Sequence, residues 1–395
     1  MIFQNLDTKK ECAGVYVQGS FLSGQIPAGL TATWKYSSHL DLPVLYANLY
    51  CAGKPMHEVC PLSKKEEWLA LNGHLRHHLS ACQTAKVDLE QNCFYDLIPE
   101  KFLLDYCELR NQITQHVIEN YPKPENYDFL LSVVKMLAAI KERDLEIDFS
   151  PLQKMISRPR ARSLYKKLAV KNRHRIDYDP FKSKTGRLTT TKSSFPILTL
   201  DRTFRSIIKP KNNYFVELDF NAAELRTLLA LSGREQPQED LHEWNVKNVY
   251  RGQVTRDDAK RRIFAWLYNP SSKDRLASRA YNREAVVQKY FEENQVKTFF
   301  DRVIPADDHH ALNYIIQSTT SDLFLKRAVE VGKILQDKKS DIAFLLHDSM
   351  VIDFAKEDTN LLNDIIAVFS DTDFGRYLTN VSVGKDYGNM KRYIR

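Results

Sequence analysis

The feature that most constrains the fold is a strand that runs directly into a helix, at YFVELDF followed by NAAELRTLLALSG. Because side chains alternate along a strand, Asp219 faces away from the apolar side formed by Val216 and its neighbours. Asn221 is a candidate helix cap and Gly233 a candidate helix terminator. The segment therefore predicts a carboxylate held at the end of a strand, although an acidic residue at such a junction could also be a second cap.

A second carboxylate is predicted in a similar place. In DIAFLLHDSMVIDF, two apolar strands flank a tight turn at His347, Asp348 and Ser349. Turns favour aspartate, so this stretch alone does not indicate a site. Two rigid strand-end aspartates together are what a pair of magnesium ions about 3.5 to 4 Å apart needs. Asp219 and Asp348 are therefore the candidate metal-binding pair.

The stretch VTRDDAKRRIFAWLY repeats a pattern every fourth residue. Each step of four residues advances about 40° beyond a full helical turn, so the four side chains share one slowly rotating stripe. The stripe consists of Arg256, Lys260, Phe264 and Tyr268. Two cations followed by two rings suit a nucleotide, whose phosphates meet the cations and whose sugar and base meet the rings. An ordinary amphipathic surface helix is the alternative.

The positive charge of the chain is clustered. Lys and Arg outnumber Asp and Glu by 57 to 50, and residues 158–175, RPRARSLYKKLAVKNRHR, contain no acid. This basic segment is either a solvated face or a phosphate-binding surface, and we predict the latter. Its cations are Arg158, Arg160, Arg162, Lys166, Lys167, Lys171, Arg173 and Arg175.

The chain changes character along its length. Its 395 residues, 43% of them hydrophobic, allow two or three domains. Residues 13–52 look strand-rich, residues 64–175 have helical periodicity broken at YPKPEN, and strands and helices mix after residue 180. These patterns predict a strand-rich segment over 1–60, a helical region over 61–180 and a mixed region over 181–395.

All six cysteines fall within the first 107 residues, and none forms a CxxC pair. Cys51, His57 and Cys60 lie near three further histidines and Cys82 and could supply zinc ligands, but buried free thiols are the favoured interpretation. No apolar run approaches the ~20 residues of a membrane helix, and the amino terminus lacks the pattern of a signal peptide. We therefore expect a cytoplasmic protein without membrane partners.

Several stretches resemble, in the correct order, the motifs of family A DNA polymerases, which include bacterial DNA polymerase I and many phage replicative enzymes. SKTGRL and LDFNAAELR resemble the family's TGRL segment and motif A, and the RxxxKxxxFxxxY helix resembles motif B. DLHEW resembles the DIHTW between those motifs, NYIIQSTTSDLFLKRA resembles the NxxxQ helix, and HDS resembles the HDE of motif C. VSVGKDYGNM resembles the family's carboxyl end, so the resemblance covers about residues 180–395.

This resemblance implies an α+β right-hand fold with an antiparallel palm sheet. The thumb would be the helical region 61–180, and palm and fingers would occupy 181–395, with the fingers at about 233–300. The implied cofactors are two Mg²⁺ ions, which Mn²⁺ can replace, and the implied partners are primer-template DNA and dNTPs. A separate exonuclease, a helicase-primase or a processivity factor are further partners of such a chain.

The resemblance also implies residue roles. Asp219 and Asp348 would bind the metals, and Glu224 would exclude a ribose 2′-hydroxyl. The triphosphate would be held by Arg256, Lys260 and His242, with Lys260 also protonating the leaving pyrophosphate, while Phe264 and Tyr268 would pack against the sugar and the nascent base pair. Arg187 and Gln317 would probe the minor groove, Asn313 would contact template or primer, and His347 would support the primer end.

Three positions depart from the family pattern. Ser349 stands where the family usually has Glu, which puts a third acidic group in doubt. Asn269 replaces a Gly after motif B, and His309 replaces an Arg.

The amino-terminal part is too short for the family's 3′ to 5′ exonuclease, so we predict no proofreading. Asp88 and Glu90, or Asp144 and Glu146, could imitate one exonuclease motif, but each pair lies in a helical context. Two other functions stay open: a single-subunit RNA polymerase, against which Glu224 argues, and a DNA-binding subunit without activity.

Overall fold

The structure is a computed structural model that describes residues 1–7, 14–23, 26–87, 89, 92, 94–269 and 271–393. Asp88, Glu90, Cys12 and Cys93 lie outside the described residues. The chain forms two compact units, Met1–Ala138 and Ala139–Arg395. Within the described ranges, no helix is both long and apolar enough to cross a membrane.

The first unit combines short strands with long helices. Its strands are β1 (Phe3–Asp7), β2 (Gly14–Val17), β3 (Ser20–Ser23), β4 (Ala32–Thr33) and β5 (Leu45–Tyr46). Its helices are α1 (Ala47–Tyr50), α2 (Met56–Val59), α3 (Lys65–Thr84), α4 (Phe94–Leu97), α5 (Glu100–Asn120) and α6 (Tyr127–Lys141), the last of which crosses the unit boundary. Strands β1, β2 and β3 form an antiparallel sheet in that order.

One hydrophobic cluster holds the strands and helices of this unit together. Tyr16 of β2 shares it with Cys51, Cys60, Trp68 and helix α5. The division expected at residue 60 therefore falls inside a continuous core, because a segment of 60 residues with such short strands buries its apolar side chains against α5. The helices expected from periodicity are confirmed as α3, α5 and α6, and YPKPEN separates α5 from α6.

The second unit begins with short elements. These are β6 (Glu146–Ile147), α7 (Ser150–Lys154), α8 (Pro159–Ala169), β7 (Tyr178–Asp179), β8 (Thr189–Thr190) and β9 (Ile208–Lys209). Next come β10 (Tyr214–Phe220), α9 (Ala223–Leu231), α10 (Leu241–Trp244), α11 (Arg256–Tyr268), α12 (Arg275–Tyr281) and α13 (Arg283–Tyr290). They are followed by β11 (Phe291–Glu292), β12 (Gln295–Lys297), β13 (Val303–Pro305), α14 (Asp308–Ile334), β14 (Asp341–Leu346) and β15 (Ser349–Phe354). The last elements are α15 (Leu362–Ser370), β16 (Asp371–Thr372), β17 (Gly375–Arg376), β18 (Thr379–Gly384) and β19 (Lys391–Arg392).

An antiparallel sheet of five strands, in the order β14-β15-β10-β18-β19, is the main sheet of this unit. Strand β10 is central and buries Val216, Leu218 and Phe220, whereas Glu217 and Asp219 are only partly buried. The alternation expected from the sequence therefore sets which face of β10 carries carboxylates. Helix α14 packs against α9 and α15, and buries Leu323 and Phe324.

The residue that caps the amino-terminal end of α9 is not the one expected from the sequence. The residue that caps α9 is Ala222, in the left-handed conformation at φ 53°, and it makes no side-chain cap bond. The expectation that Asn221 caps this helix is wrong, because its side chain bonds to Asp240 and to the backbone N–H of Leu241 instead. Gly233 follows the helix end at φ +69° and is confirmed as the terminator.

Candidate active site

Asp219 and Asp348 lie at adjacent strand ends. Asp219 is the penultimate residue of β10, and Asp348 lies in the two-residue turn that joins β14 to β15. Ser349 pairs with Asp219 across β10 and β15, and the N–H of Phe220 donates to the carbonyl oxygen of Asp348 at 3.4 Å. The ladder therefore brings together two carboxylates that are 129 residues apart in the sequence.

Both carboxyl groups resist ionisation. Burial, and then the neighbouring Asp348, raise the pKa of Asp219 to about 7. Burial also raises the pKa of Asp348. One hydrogen bond opposes this effect at Asp219, whose Oδ2 accepts from Nδ2 of Asn380 at 3.3 Å.

This donor set fits magnesium. Magnesium prefers carboxylate oxygens and is usually bound by one or two carboxylates together with waters and substrate phosphates. Within the described ranges neither Asp219 nor Asp348 forms a salt bridge with a cationic side chain, so both carboxylates are available to bind a metal ion. No group of three or more His, Cys, Asp or Glu side chains in these ranges has metal-binding geometry, so protein carboxylates alone do not complete a site.

Helix α11 carries the stripe expected from its sequence. Arg256 and Lys260 are exposed, Phe264 is half-buried, and Tyr268 is exposed. The rings of Phe264 and Tyr268 stack with their centroids 6.0 Å apart. The opposite face of the helix buries Ala259, Ile263, Trp266 and Leu267, which leaves the cations and rings facing the cavity.

A polar cluster fixes the amino-terminal end of this stripe. Asp240 caps α10 by accepting from the N–H groups of His242 and Glu243, each at 3.0 Å. Its Oδ2 also accepts from Nη2 of Arg256 at 2.8 Å and from Nδ2 of Asn221 at 2.8 Å. Burial alone would raise the pKa of Asp240, but the Arg256 guanidinium and these other hydrogen bonds hold it well below its usual range.

His242 lines the cavity as a neutral ring. It is 4% exposed, and burial lowers its pKa to about 4. Its buried Nδ1 has no hydrogen-bond partner among the described residues. It can therefore offer a phosphate a hydrogen bond but no charge at neutral pH.

Glu224 is held from two sides. Its carboxylate accepts from the Arg187 guanidinium and from the Tyr268 hydroxyl. Burial raises the pKa of Glu224, and the charge of Arg187 opposes that shift. These contacts place Glu224 between the TGRL segment and the last turn of α11.

Most of the predicted site residues line one cavity of about 500 Å³. The predicted residues on its wall are Arg187, Asp219, Glu224, His242, Arg256, Lys260, Phe264, Tyr268, Gln317, His347 and Asp348. Asn313 instead lines a second cavity, with Arg283 and the other side of Tyr268. The structure thus brings the β10–α9, α11 and β14–β15 segments together around one cavity, whereas Asn313 lines a neighbouring one that also touches Tyr268.

The basic segment is not part of that cavity. Six of its cations are exposed. Four of these lie on α8, namely Arg160, Arg162, Lys166 and Lys167. The other two are Arg158, just before the helix, and Arg173, beyond its end. Several of its cations already have partners in the chain. Nε of Arg175 contacts Oδ1 of Asp144 at 2.7 Å, and Nζ of Lys171 donates to the carbonyl of Ser193 at 2.5 Å. Arg162 donates to the carbonyls of Ile156 and Ser157, and Arg160 and Arg173 form longer ion pairs with Asp201 and Asp144.

The sequence reasoning missed several polar residues at the site, Thr320 and Ser321 of α14 among them. Arg202 and Asn380 line the cavity, and Asn221 and Asp240 organise its wall. Asn380 could have been found only from the pairing of β18 with β10, which sets it opposite Asp219. Arg202 lies in the stretch between TGRL and motif A, and no spacing in that stretch distinguishes it.

The cysteines of the first unit that the structure describes are free thiols. Cys51, Cys60 and Cys107 are buried, and Cys82 is half-buried. Burial raises the pKa of Cys51 to about 11 and that of Cys107 to about 12, so both thiols are protonated at neutral pH.

No family model matches the chain, and no curated protein matches it. Among solved structures, the chain is similar to the POL domain of Pol1 from M. smegmatis in complex with DNA primer-template and dNTP. The similarity has a TM-score of 0.57 at 12% sequence identity and covers 73% of this chain and 76% of that one. The chain therefore has the fold of a DNA polymerase domain.

Proposed function

We propose that the chain is a template-directed DNA polymerase that adds dNTPs to a primer 3′-hydroxyl with two Mg²⁺ ions. The observation that carries the proposal is the pair of partly buried carboxylates, Asp219 and Asp348, lining one cavity together with Arg256 and Lys260. Two acids beside two cations suit a metal-bound triphosphate. The similarity in fold to a polymerase domain solved with primer-template and dNTP supports this assignment.

The α11 stripe would bind the nucleotide. Arg256 and Lys260 would contact the triphosphate, and His242 would donate a hydrogen bond to it. Phe264 and Tyr268 would pack against the sugar and the new base pair. Lys260 would also donate a proton to the leaving pyrophosphate.

Asp219 and Asp348 would hold the metals through carboxylate oxygens. When bound, two such ions supply the positive charge that activates the 3′-hydroxyl and stabilises the developing charge on the phosphates. Asp219 lies in the sheet and Asp348 in the tight turn between two of its strands, so the two carboxylates would need little reorganisation at the moment of reaction.

The remaining cavity residues would check the substrate. Glu224 would exclude the ribose 2′-hydroxyl, Arg187 and Gln317 would hydrogen-bond to the minor groove, and His347 would support the primer end. Acceptors in the minor groove are common to all correct pairs, so such contacts test shape rather than sequence. Asn313 would meet the template or primer from the second cavity.

The helical region 61–180 would be the thumb, with the basic segment gripping duplex phosphates, and 181–395 would be palm and fingers. The chain would lack proofreading and rely on a separate exonuclease, and a helicase-primase or processivity factor would act with it during replication.

The test is extension of a labelled primer with Mg²⁺ and all four dNTPs. Asp219→Asn and Asp348→Asn should each lower the extension rate by at least about a hundredfold, because each removes charge aimed at the reacting phosphates. Asp353→Asn is the matched control, since Asp353 is a partly buried carboxylate at the other end of β15. It should extend primers at close to the unmodified rate.

Near-normal extension by either site variant would overturn the metal assignment. Lanes with rNTPs and with a mismatched primer distinguish an RNA polymerase and reveal proofreading. If the unmodified protein binds duplex DNA but does not extend the primer, the chain is a DNA-binding subunit without polymerase activity.

A further inference from the structure

Gly186, the residue before Arg187, lies against a largely buried guanidinium. It has φ +72°, and a Cβ built on it would lie 2.7 Å from Cζ and Nη2 of Arg302. Any side chain at this position would collide with that group and would also strain the backbone. The backbone at Gly186 therefore packs directly on the face of Arg302.

Arg302 is itself fixed by a fully buried carboxylate. Nε of Arg302 donates to Oδ2 of Asp322 at 2.9 Å, and Nη2 donates to Oδ1 at 2.7 Å. The Asp322 side chain is 0% exposed and that of Arg302 is 15% exposed. Two parallel charge-assisted hydrogen bonds define the plane of the guanidinium, which a single ammonium could not do.

The neighbouring residue of α14 secures the same glycine from another direction. Oγ of Ser321 donates to the carbonyl oxygen of Gly186 at 3.0 Å. Arg302 is anchored at its backbone too, because the N–H of Thr298 donates to its carbonyl and its own N–H donates to Oγ1 of Thr298. Two elements, α14 and the turn before β13, thus converge on the residue that precedes Arg187.

We propose that Arg302, Asp322 and Ser321 form a platform that positions Arg187 for its contact with the primer-template minor groove. The proposal rests on the proposed function, which assigns that contact to Arg187. Among the described residues, Arg187 and Ser321 line the active-site cavity whereas Arg302 and Asp322 do not, so these two act through Arg187. They are positioning residues.

A buried ion pair could instead serve stability alone. Breaking such a pair leaves an unpaired buried charge, so loss of stability by itself does not identify a positioning role. The two roles differ in their coupling to Arg187: a platform matters only while Arg187 is present, whereas a purely structural pair matters equally without it.

The first experiment is a double-mutant cycle on single-nucleotide incorporation. Arg302→Lys keeps the positive charge but removes the planar pair of N–H donors that binds Asp322, and it should lower the incorporation rate by about tenfold or more. In an Arg187→Ala background the same change should cost less than about twofold. Arg143→Lys, which alters an ion pair with Asp341 elsewhere in this unit, is the control and should leave the rate unchanged.

Glycine variants give a second, independent comparison. Gly186→Ala and Gly233→Ala both place a side chain at positive φ, but a Cβ at Gly233 meets no atom within 4 Å. Only Gly186→Ala should reproduce the rate loss of Arg302→Lys, because only that side chain displaces the guanidinium. Equal losses in the two alanine variants would contradict the platform.

Binding of fluorescent primer-template, measured by anisotropy across salt concentrations, separates this inference from the proposed function. Arg302→Lys and Arg187→Ala should weaken binding by the same factor, and the double variant should be no weaker. If the unmodified protein does not extend primers but shows this shared loss, the inference stands and the polymerase assignment fails. If it extends primers and Arg302→Lys costs the same with and without Arg187, the inference fails.

Discussion

Arg226 offers a direct test of how the cavity wall is held. It is completely buried on α9, and its guanidinium makes four hydrogen bonds, two to the turn before this helix and two to the segment after it. Nε donates to the carbonyl of Asn221 at 2.7 Å, Nη1 to that of Pro237 at 2.7 Å and Nη2 to that of Glu239 at 2.8 Å. The fourth bond joins Nη2 to Oδ1 of Asn221 at 3.3 Å. The guanidinium therefore ties the end of β10 to the segment that leads into Asp240.

Arg226→Lys keeps the positive charge and removes the planar set of N–H donors of the guanidinium. A lysine ammonium can satisfy about two of the four acceptors, so about two charge-assisted hydrogen bonds are lost. At roughly 1.5 to 3 kcal/mol each, the free energy of unfolding should fall by about 3 to 6 kcal/mol. The KM for dNTP should also rise, because Arg226 holds Asn221, Asn221 bonds to Asp240, and Asp240 accepts from Arg256.

Urea denaturation followed by fluorescence measures the first effect, and incorporation kinetics measure the second. Arg234→Lys is the control, since Arg234 is exposed and donates one hydrogen bond, to the carbonyl of Arg279. It should change the free energy of unfolding by less than about 0.5 kcal/mol. A loss below about 1 kcal/mol for Arg226→Lys would refute the view that this residue organises the wall.

Three further predictions follow from single residues or one segment. The pKa of His242 is about 4 in the folded chain and about 6.5 when unfolded, so the free energy of unfolding falls by up to about 3 kcal/mol as the pH drops through this window. In urea titrations at pH 7, 6 and 5, His242→Gln should reduce this loss of stability. An unchanged pH profile would contradict the burial of His242 as a neutral ring. Glu224→Ala should raise the ratio of rNTP to dNTP incorporation by about tenfold or more in competition assays, and an unaltered ratio would remove Glu224 from sugar selection. Replacing Lys166 and Lys167 by Gln should reduce the slope of log affinity against log salt concentration by up to about 1.8. Arg175→Gln should change the slope less, because Arg175 is already paired with Asp144. Equal slopes in all these proteins would mean that the duplex binds elsewhere.

The local elements of the site could be predicted because their signals are local. Alternation in YFVELDF indicates which face of β10 carries Asp219, and a spacing of four residues indicates the stripe on α11. Two apolar runs around His347 and Asp348 indicate the β14–β15 hairpin, and the structure confirms it.

Other features depend on contacts between distant segments, and the sequence carries no local sign of them. Asn380 bonds to Asp219 only because β18 pairs with β10, and Asp322 meets Arg302 only because α14 packs beside the turn before β13. The core that joins the strands of the first unit to α5 likewise links residues more than 50 positions apart, such as Tyr16 and Tyr106. Asn221 was expected to cap α9, but its partner Asp240 lies 19 residues further along.

The most direct test of the central claim is single-nucleotide incorporation on four templates that differ only in the first unpaired base. Each template is offered one dNTP at a time with Mg²⁺, and the extended primer is quantified. Each template should support rapid addition of its complementary dNTP alone, and the Asp219→Asn protein should add that nucleotide at least about a hundredfold more slowly. Addition that does not depend on the template base, or that survives loss of Asp219, would contradict a template-directed polymerase built on this pair of aspartates.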